Sequence, residues 1–505
     1  MNRGGSGSAK GSLYFELECD HGPLFVSLAK KQFRLEAEDC LSNSLLESPG
    51  TLRPILKLAA PVLAEELLNM LVGYTDWWLT GHFLQGPPYK AAMGLMAYVL
   101  WMIPSLFSGI AIGATAMISR AIGAGDLMLA RRVMHQAFLV GAVVGIAATG
   151  LVAWGGSEFL AIMQLSPEAT PLAQRYLTIL IPIVPAIMIE QVAIACLRGA
   201  GDTVTGLVAK IIVNGVNVVL STVLVIGWGP FPNLGWEGLA IGTAVGHAIG
   251  AVVLLIALAV GRAGLHLQIS DLRPDFKLMR RLGRIGMPGG CDVLAVLGCH
   301  LMYVAVVNSL GTVASASHGL GLQIESLAYL SGAAFHVAAA TMTGQLLGAH
   351  DKHRAAQAIR TACILAEVLM CGAGLVFFVA GESLAGFFSG AHDPETTAGA
   401  AMYLRIVAIS MPALAMLQVL TGALRGAGDT VVPLAINFAG LLLIRVPGAC
   451  FCAFEQVPIP GTSWIVPGLG FGVAGAWWAM VADVWIRSLL ALGRFFHGGW
   501  NRVRV

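Results

Sequence analysis

Ionisable and amide side chains stand at helical spacing inside long apolar stretches of this chain. The chemistry they offer is the binding of a proton or a cation. The stretch 53–82 holds Glu65, Glu66, Asn69 and Asp76. At ~100° per residue, Glu65, Asn69 and Asp76 fall within about 40° of one another and form one stripe, with Glu66 to its side. Asp76 is the first candidate for a carboxylate that takes up a proton or cation; the competing reading is a helix-end residue, because Gly81 and His82 follow soon after. In 204–227, Asn214, Asn217 and Ser221 share a face, either completing an ion site with a carboxylate or bonding helix to helix. In 314–347, His318, Glu325, Tyr329 and His336 make a second stripe, with Gly332 leaving room beside it. Asp292 lies four residues after Pro288. Glu325 and Asp292 could meet a cationic substrate or relay protons, or could form a buried ion pair with Arg445. Asp483 is a weaker candidate of the same kind. The histidines suit hydrogen-bonded core positions, and a titration near ~6.5 leaves a pH role open to them.

The elements that must position these groups are membrane spans. Of 505 residues, 57% are hydrophobic and 11% charged, with mean hydropathy +0.77, against roughly 25% charged in a soluble domain. Twelve apolar runs are long enough to span a bilayer: 53–82, 93–122, 129–155, 171–196, 204–227, 237–261, 282–310, 314–347, 354–381, 396–423, 430–453 and 470–496. Pro104, Pro182, Pro185, Pro288 and Pro412 fall inside runs and predict kinks that free carbonyls. Basic residues gather in alternate loops. The segment 261–284 holds Arg262, Arg273, Lys277, Arg280, Arg281 and Arg284, whereas 156–170, 227–236, 311–313, 382–395 and 454–469 hold no Lys or Arg. The positive-inside rule then places both termini in the cytoplasm of a multi-pass inner or plasma membrane protein. Residues 1–50 read as a cytosolic tail, disordered in part, and 498–505 as a second short tail. A net charge of +2 argues against a nucleic-acid partner. The nine cysteines suggest neither a disulfide framework nor a zinc site. The chain has no G-x-x-x-x-G-K-[ST] or H-E-x-x-H, so neither ATP hydrolysis nor simple metalloprotease chemistry is expected, and no cofactor is implied.

One polar word occurs twice. LRGAGDT stands at 197–203 and at 424–430, 227 positions apart, and AIGAGD (121–126) is echoed by LLGAHD (346–351). Two halves of six spans each follow, 51–261 and 282–497, joined by a linker over 262–281. Because six is even, the halves share one orientation, as parallel transporter repeats do. Read locally, each word is a cytoplasmic turn. Arg198 and Arg425 suit a helix C-terminus at the inner membrane face, the glycines allow reversal, and Asp202 and Asp429 can cap the next helix. The offset places Ile444 and Gly448 opposite Asn217 and Ser221, which suggests an ion site in the first half only.

The words LAAPVLAEELLNMLVGYTDWWLTGHF (58–83), ATMTGQLLGAHD (340–351), QVAIACLRGAGDT (191–203) and QVLTGALRGAGDT (418–430) resemble the multidrug and toxic compound extrusion (MATE) transporters over roughly 50–497. The resemblance implies an all-α fold of twelve transmembrane helices in two six-helix lobes around a central cleft. It also implies export of cationic or amphipathic compounds in exchange for H⁺ or Na⁺, by a chain expected to act as a monomer. Asp76 matches the family's first-helix carboxylate, although Trp77 replaces a small polar neighbour. Asn217 and Ser221 match a fifth-helix pair, with Ser221 in place of an amide or carboxylate, and Glu325 falls in a segment resembling the eighth helix of bacterial members. Val296 and Ala415 stand where one branch carries a seventh-helix Glu and a tenth-helix Asp, so coupling is expected in the first lobe, by H⁺ rather than Na⁺. The rival readings are a flippase for lipid-linked saccharides, which would have a cationic cleft, a membrane-embedded enzyme, and a receptor or scaffold that transports nothing.

Overall fold

The computed structural model describes residues 48, 50–84, 86–163, 165–389, 393–458 and 465–503. The tail expected over 1–50 lies outside the described residues apart from Ser48 and Gly50. The first half contains α1 (Leu52–Phe83), α2 (Pro87–Ser105), α3 (Ser108–Gly123), α4 (Leu127–Ile162), α5 (Ala169–Leu180), α6 (Val184–Ala200), α7 (Val204–Ile226) and α8 (Trp236–Val260). The second contains α9 (Phe276–Asn308), α10 (Thr312–Gly348), α11 (Lys352–Ser389), α12 (Pro394–Ala408), α13 (Met411–Gly426), α14 (Val431–Phe438), α15 (Val446–Ala453) and α16 (Gly472–His497). A two-stranded antiparallel hairpin, β1 (Gln456–Pro458) with β2 (Ile465–Pro467), precedes α16.

These helices occupy the twelve apolar runs, four of them broken. Pro104 ends α2, Pro182 and Pro185 flank the break between α5 and α6, and Pro412 follows the 58° bend between α12 and α13. Each proline lacks the N–H that would continue the ladder. Pro288, by contrast, sits inside the continuous α9. The eleventh run is interrupted by a π-helical turn, Ala439–Arg445. Among the described residues, eight segments are apolar enough to cross a membrane by length and composition, nine if the bent pair is one span. Helices α1, α10 and α16 are long enough but carry the buried polar groups Glu65, Asp76, Glu325, Asp483 and Arg487.

Two apolar cores correspond to the two halves, with one exchange. Ile55, Leu58, Ala59 and Val62, in the first turns of α1, pack in the second core. Leu278, Leu282 and Ile285, in the first turns of α9, pack in the first. The linker is therefore shorter than expected, because α9 begins at Phe276, capped by Asp275, and is already buried against the opposite lobe. The C-terminal segment is likewise no free tail through residue 503. Trp500 is buried against Phe495, and the carbonyl of Val503 accepts from Arg120.

The repeated word makes the same turn twice. Gly201 and Gly428 have φ of 93° and 84°, and the amides of Asp202 and Asp429 each reach back to Leu197 O and Leu424 O at 2.9 Å. This is the left-handed closure that glycine permits at a helix end. Gly199 and Gly426 serve close approach instead: a Cβ there would meet the carbonyls of Thr115 and Ala340.

The lobes meet closely at the face carrying these turns, the repeat face. Arg120 of α3 donates to Ala427 O at 2.9 Å, and Gln345 of α10 donates to Gly199 O at 3.1 Å. Thr341 adds a bond to Arg198 O at 2.9 Å. Each lobe thus latches onto the carbonyls of the other lobe's repeat. Where α3 crosses α10, a Cβ on Gly123 would collide with the Gln345 backbone, and one on Gly348 with the Arg120 backbone. Gly123→Val should force these helices apart. Overpacking of this kind costs about 1–3 kcal/mol, so amide exchange over 115–123 and 340–348 should quicken by about tenfold, whereas Gly215→Val, which meets open space, should leave it unchanged. Unaltered exchange in Gly123→Val would disprove the close-approach role.

Candidate functional site

Two polar centres lie in the two lobes. The first is built around Asp76, fully buried on α1. Thr243 of α8 donates to Asp76 Oδ2 at 3.4 Å, and Asn217 Nδ2 of α7 donates to Thr243 Oγ1 at 3.0 Å and to Ser221 Oγ at 3.4 Å. The Tyr176 hydroxyl of α5 lies 3.5 Å from Thr243 Oγ1. Helices α7 and α8 approach closely because α8 presents glycine: a Cβ on Gly242 would strike Ser221, and one on Gly246 would press on Val213 O. Asp76 Oδ1 and Asn217 Oδ1 are buried without a hydrogen-bond partner, and no Lys, Arg or His among the described residues forms an ion pair with Asp76. An uncompensated buried carboxylate calls for a neutralising cation. A proton on Asp76, or a hard monovalent cation held by the two orphaned oxygens and the neighbouring hydroxyls, fits this donor set.

The other residues of the first-half stripes are placed differently. Glu65 is buried but faces Arg198, whose Nη2 lies 2.8 Å from Glu65 Oε2. Asn69 is exposed and bonds only to Glu66, so the stripe read along α1 divides between two environments. Asn214 donates to Lys210 O, one turn from the Asp76 cluster, and its Oδ1 has no partner. Lys210 itself pairs with Glu190 at 2.8 Å, and His247 lies 3.1 Å from the same carboxylate.

The second centre surrounds a cavity of ≈590 Å³ lined mainly by the second lobe, with Glu66, Trp101 and Ser105 contributed by the first. Glu325, His318, Tyr329 and His336 all face it, so the α10 stripe does share one surface. Glu325 accepts a hydrogen bond from the Tyr403 hydroxyl. His318 is packed edge-on between Tyr303 and Tyr403, and neither of its ring nitrogens has a partner. His336 joins Gln418 O at 2.9 Å and lies 3.4 Å from Arg425 Nη1. Asp292 does not pair with Arg445. It binds Arg425 at 2.6 Å and accepts from Asn437 at 2.8 Å. Arg445 binds Asp483 instead, at 2.9 Å, together with Arg487 at 2.8 Å.

The arginines of the repeat stand in the last turns of α6 and α13, as expected, but their side chains do not simply cap the turn. Arg198 and Arg425 reach back into the bundle to Glu65 and Asp292, which are themselves 227 positions apart. The aspartates of the repeat bind the ends of later elements, Asp202 to Arg262 at 2.7 Å and Asp429 to Arg494 at 2.7 Å. Asp202 also caps α7 through Thr205 N. For Asp429 the arginine replaces the cap.

Sequence reasoning passed over Tyr176, Thr243, Tyr403, Arg487 and the Glu190–Lys210–His247 group. The 227-residue offset that exposed the duplication also relates Tyr176 to Tyr403 and Asp76 to Tyr303. That offset was the available signal for the two tyrosines, each beside its lobe's carboxylate.

Comparison with known proteins agrees with this duplicated architecture. The MatE family model matches residues 61–223 and again 288–451. A probable multidrug resistance protein NorM of Thermotoga maritima is 28% identical over 461 residues, covering 91% of this chain and 95% of that protein. A probable NorM of Rhizobium meliloti is 26% identical, covering 89% and 94%. The fold superposes on a crystal structure of MATE in complex with MaL6 at a TM-score of 0.80, with 19% identity over 91% of this chain and 99% of that one. It also superposes on a MOP superfamily transporter from Pyrococcus furiosus, described as having reversed binding-pocket polarity, at 0.81 with 18% identity over 91% and 98%. With both halves matched across more than half of its length, the chain belongs to the MatE family of multi-pass membrane transporters.

Proposed function

We propose that this protein is a secondary antiporter that exports cationic or amphipathic small molecules, drugs among them, in exchange for H⁺ or Na⁺. The observation that carries this reading is Asp76: a fully buried carboxylate with no counter-cation among the described residues, one oxygen without a partner, linked through Thr243 to Asn217, whose own Oδ1 is also without a partner. Neutralising Asp76 removes a charge from the interior of the first lobe. Binding of substrate in the second-lobe cavity then competes or alternates with that neutralisation as the lobes rock. The multidrug resistance names of the relatives support the substrate class. The basic residues flanking the repeat face support a cytoplasmic position for that face and for both termini. The cleft, latched at the repeat face, then corresponds to a state closed toward the cytoplasm. Glu325 supplies negative charge to a bound cation, and Tyr329 and Trp101 supply apolar contact.

Everted membrane vesicles loaded by an imposed proton gradient, with ethidium as the reporter, test the role of Asp76. Asp76→Asn should lower gradient-driven transport by about tenfold or more, equivalent to at least ~1.4 kcal/mol of coupling; full activity would end the assignment. Proteoliposomes given H⁺ and Na⁺ gradients separately distinguish the ions, and with Ser221 in place of a further carboxylate or amide the proton gradient should drive counterflow.

Asp292 is assigned to structure rather than relay. Removing one member of a buried pair costs about 3–5 kcal/mol, so Asp292→Asn should lower the unfolding temperature of the purified protein. Arg425→Gln in the same chain should recover a large part of the loss, because it removes the stranded charge. A single Asp292→Asn variant that keeps its unfolding temperature but loses transport would return the residue to the relay.

A further inference from the structure

Three guanidiniums stand in the cavity wall, and they are not equally paired. Arg425 is matched by Asp292. Arg445 and Arg487, however, share the single carboxylate of Asp483, and all three arginines line the cavity. Arg487 is engaged on three sides, with Asp483 Oδ1, Asp483 Oδ2 and Asn437 Oδ1. Arg445 is not. Its one hydrogen bond among the described residues runs from Nε to Asp483, and its guanidinium lies over the Tyr303 ring at 5.7 Å from the centroid. Neither Nη group of Arg445 hydrogen-bonds to a described residue, and the side chain lines the cavity.

The backbone is shaped to keep this arrangement. The eleventh span leaves α-helical geometry for the π turn Ala439–Arg445, which ends on this arginine; such turns recur at functional sites. Within it, a Cβ on Gly440 would collide with the Arg487 side chain and crowd Asp483. The missing side chain at Gly440 leaves the space beside the π turn that Arg487 and Asp483 occupy. An arginine held by Nε and free at both Nη atoms presents the fork that matches a carboxylate. Across the same cavity stand Glu325 and, from the first lobe, Glu66.

We infer that Arg445 is an anion subsite of the transport cavity, and that the chain takes dipolar amphiphiles whose carboxylate docks on Arg445 while their cationic end faces Glu325 and Glu66. The inference rests on the efflux reading for its context, but its test is binding alone. The purified full chain in lipid nanodiscs is titrated against tetramethylrhodamine, which carries a free carboxylate beside its cation, and against the methyl ester, which keeps only the cation. Fluorescence anisotropy gives both affinities. The wild-type chain should bind the free acid more tightly than the ester. Arg445→Gln should weaken the free acid by about tenfold, the scale of a lost charge-assisted bond, leave the ester within about twofold, and Arg445→Lys should recover part of the loss. Equal losses for both dyes, no loss for the free acid, or a wild-type chain that binds only the ester or neither dye would overturn the subsite. Should Arg445→Gln fail to fold, the wild-type chain decides: excess benzoate must displace the free acid and spare the ester, and failure to do so also overturns it. Dye binding without gradient-driven export would instead refute the efflux reading and leave the subsite standing.

Discussion

The structure depends on one interaction made twice: a half-buried arginine at the end of a helix, clamped by a buried carboxylate on the first helix of its own lobe. Arg198 holds Glu65 and Arg425 holds Asp292. Each pair ties the repeat turn to α1 or α9, the two helices whose first turns pack in the opposite lobe. Eleven residues beyond the clamp, about 16 Å along a helix, α1 presents Asp76 and α9 presents Tyr303. The scaffold is conserved between the halves while the group it delivers differs. The first lobe receives a carboxylate with no counter-charge. The second receives a phenol under an arginine. In the proposed function, one duplicated frame thus serves an ion centre on one side and a ligand cavity on the other.

The positions of the spans were legible because apolar runs long enough to cross a bilayer leave few alternatives, and three of the four breaks fell where proline removes a donor. The word LRGAGDT was legible as a turn, since Gly201 and Gly428 adopt the conformation glycine favours. The destination of its arginine was not. A cation beside a loop satisfies the positive-inside pattern whether it points to water or back into the bundle, and only the packing of α1 against α6 decides. Asp76 and Asn217 stood out because amides and carboxylates are costly in lipid, and Ser221 only because it shares a helical face with Asn217. Tyr176 and Thr243 were missed because hydroxyls in an apolar span are inexpensive and common. Asn69 shows the opposite error: helical phase placed it with Asp76, but phase says nothing about which neighbour ends where along a helix, and α1 is exposed at that turn.

The charge of the second lobe was equally hidden. Arg445 was visible as a possible partner, yet periodicity offered Glu325 and Asp292 for it, and both had nearer claims, from Tyr403 and from Arg425. Asp483 and Arg487 lie one helical turn apart and read as a self-contained pair. The third member arrives through a π turn, which shifts the register of every residue after it by an amount no regular helical wheel includes. A local irregularity of the backbone therefore sets the electrostatics of the cavity.

The two centres are joined by packing that runs through the clamp. From the Asp76 cluster, α7 carries a polar edge through Asn217, Asn214 and Lys210 to Gly206, where a Cβ would lie 3.3 Å from Glu65 Oε2. Glu65 holds Arg198, and the carbonyl of Arg198 accepts the bond from Thr341 that helps latch the lobes. In the proposed cycle, a change of charge at Asp76 acts on α7 and α8 first, because Thr243 and Asn217 are its partners. Any displacement of α7 is then felt at Glu65, since glycine at 206 leaves no side chain to absorb it. The latch consists of hydrogen bonds to helix-end carbonyls rather than ion pairs, each of a net strength near ~1 kcal/mol. Bonds of that size hold one state and still release it for the free energy that a single neutralised carboxylate can supply, which is what a lobe-rocking exchanger requires of its closed face.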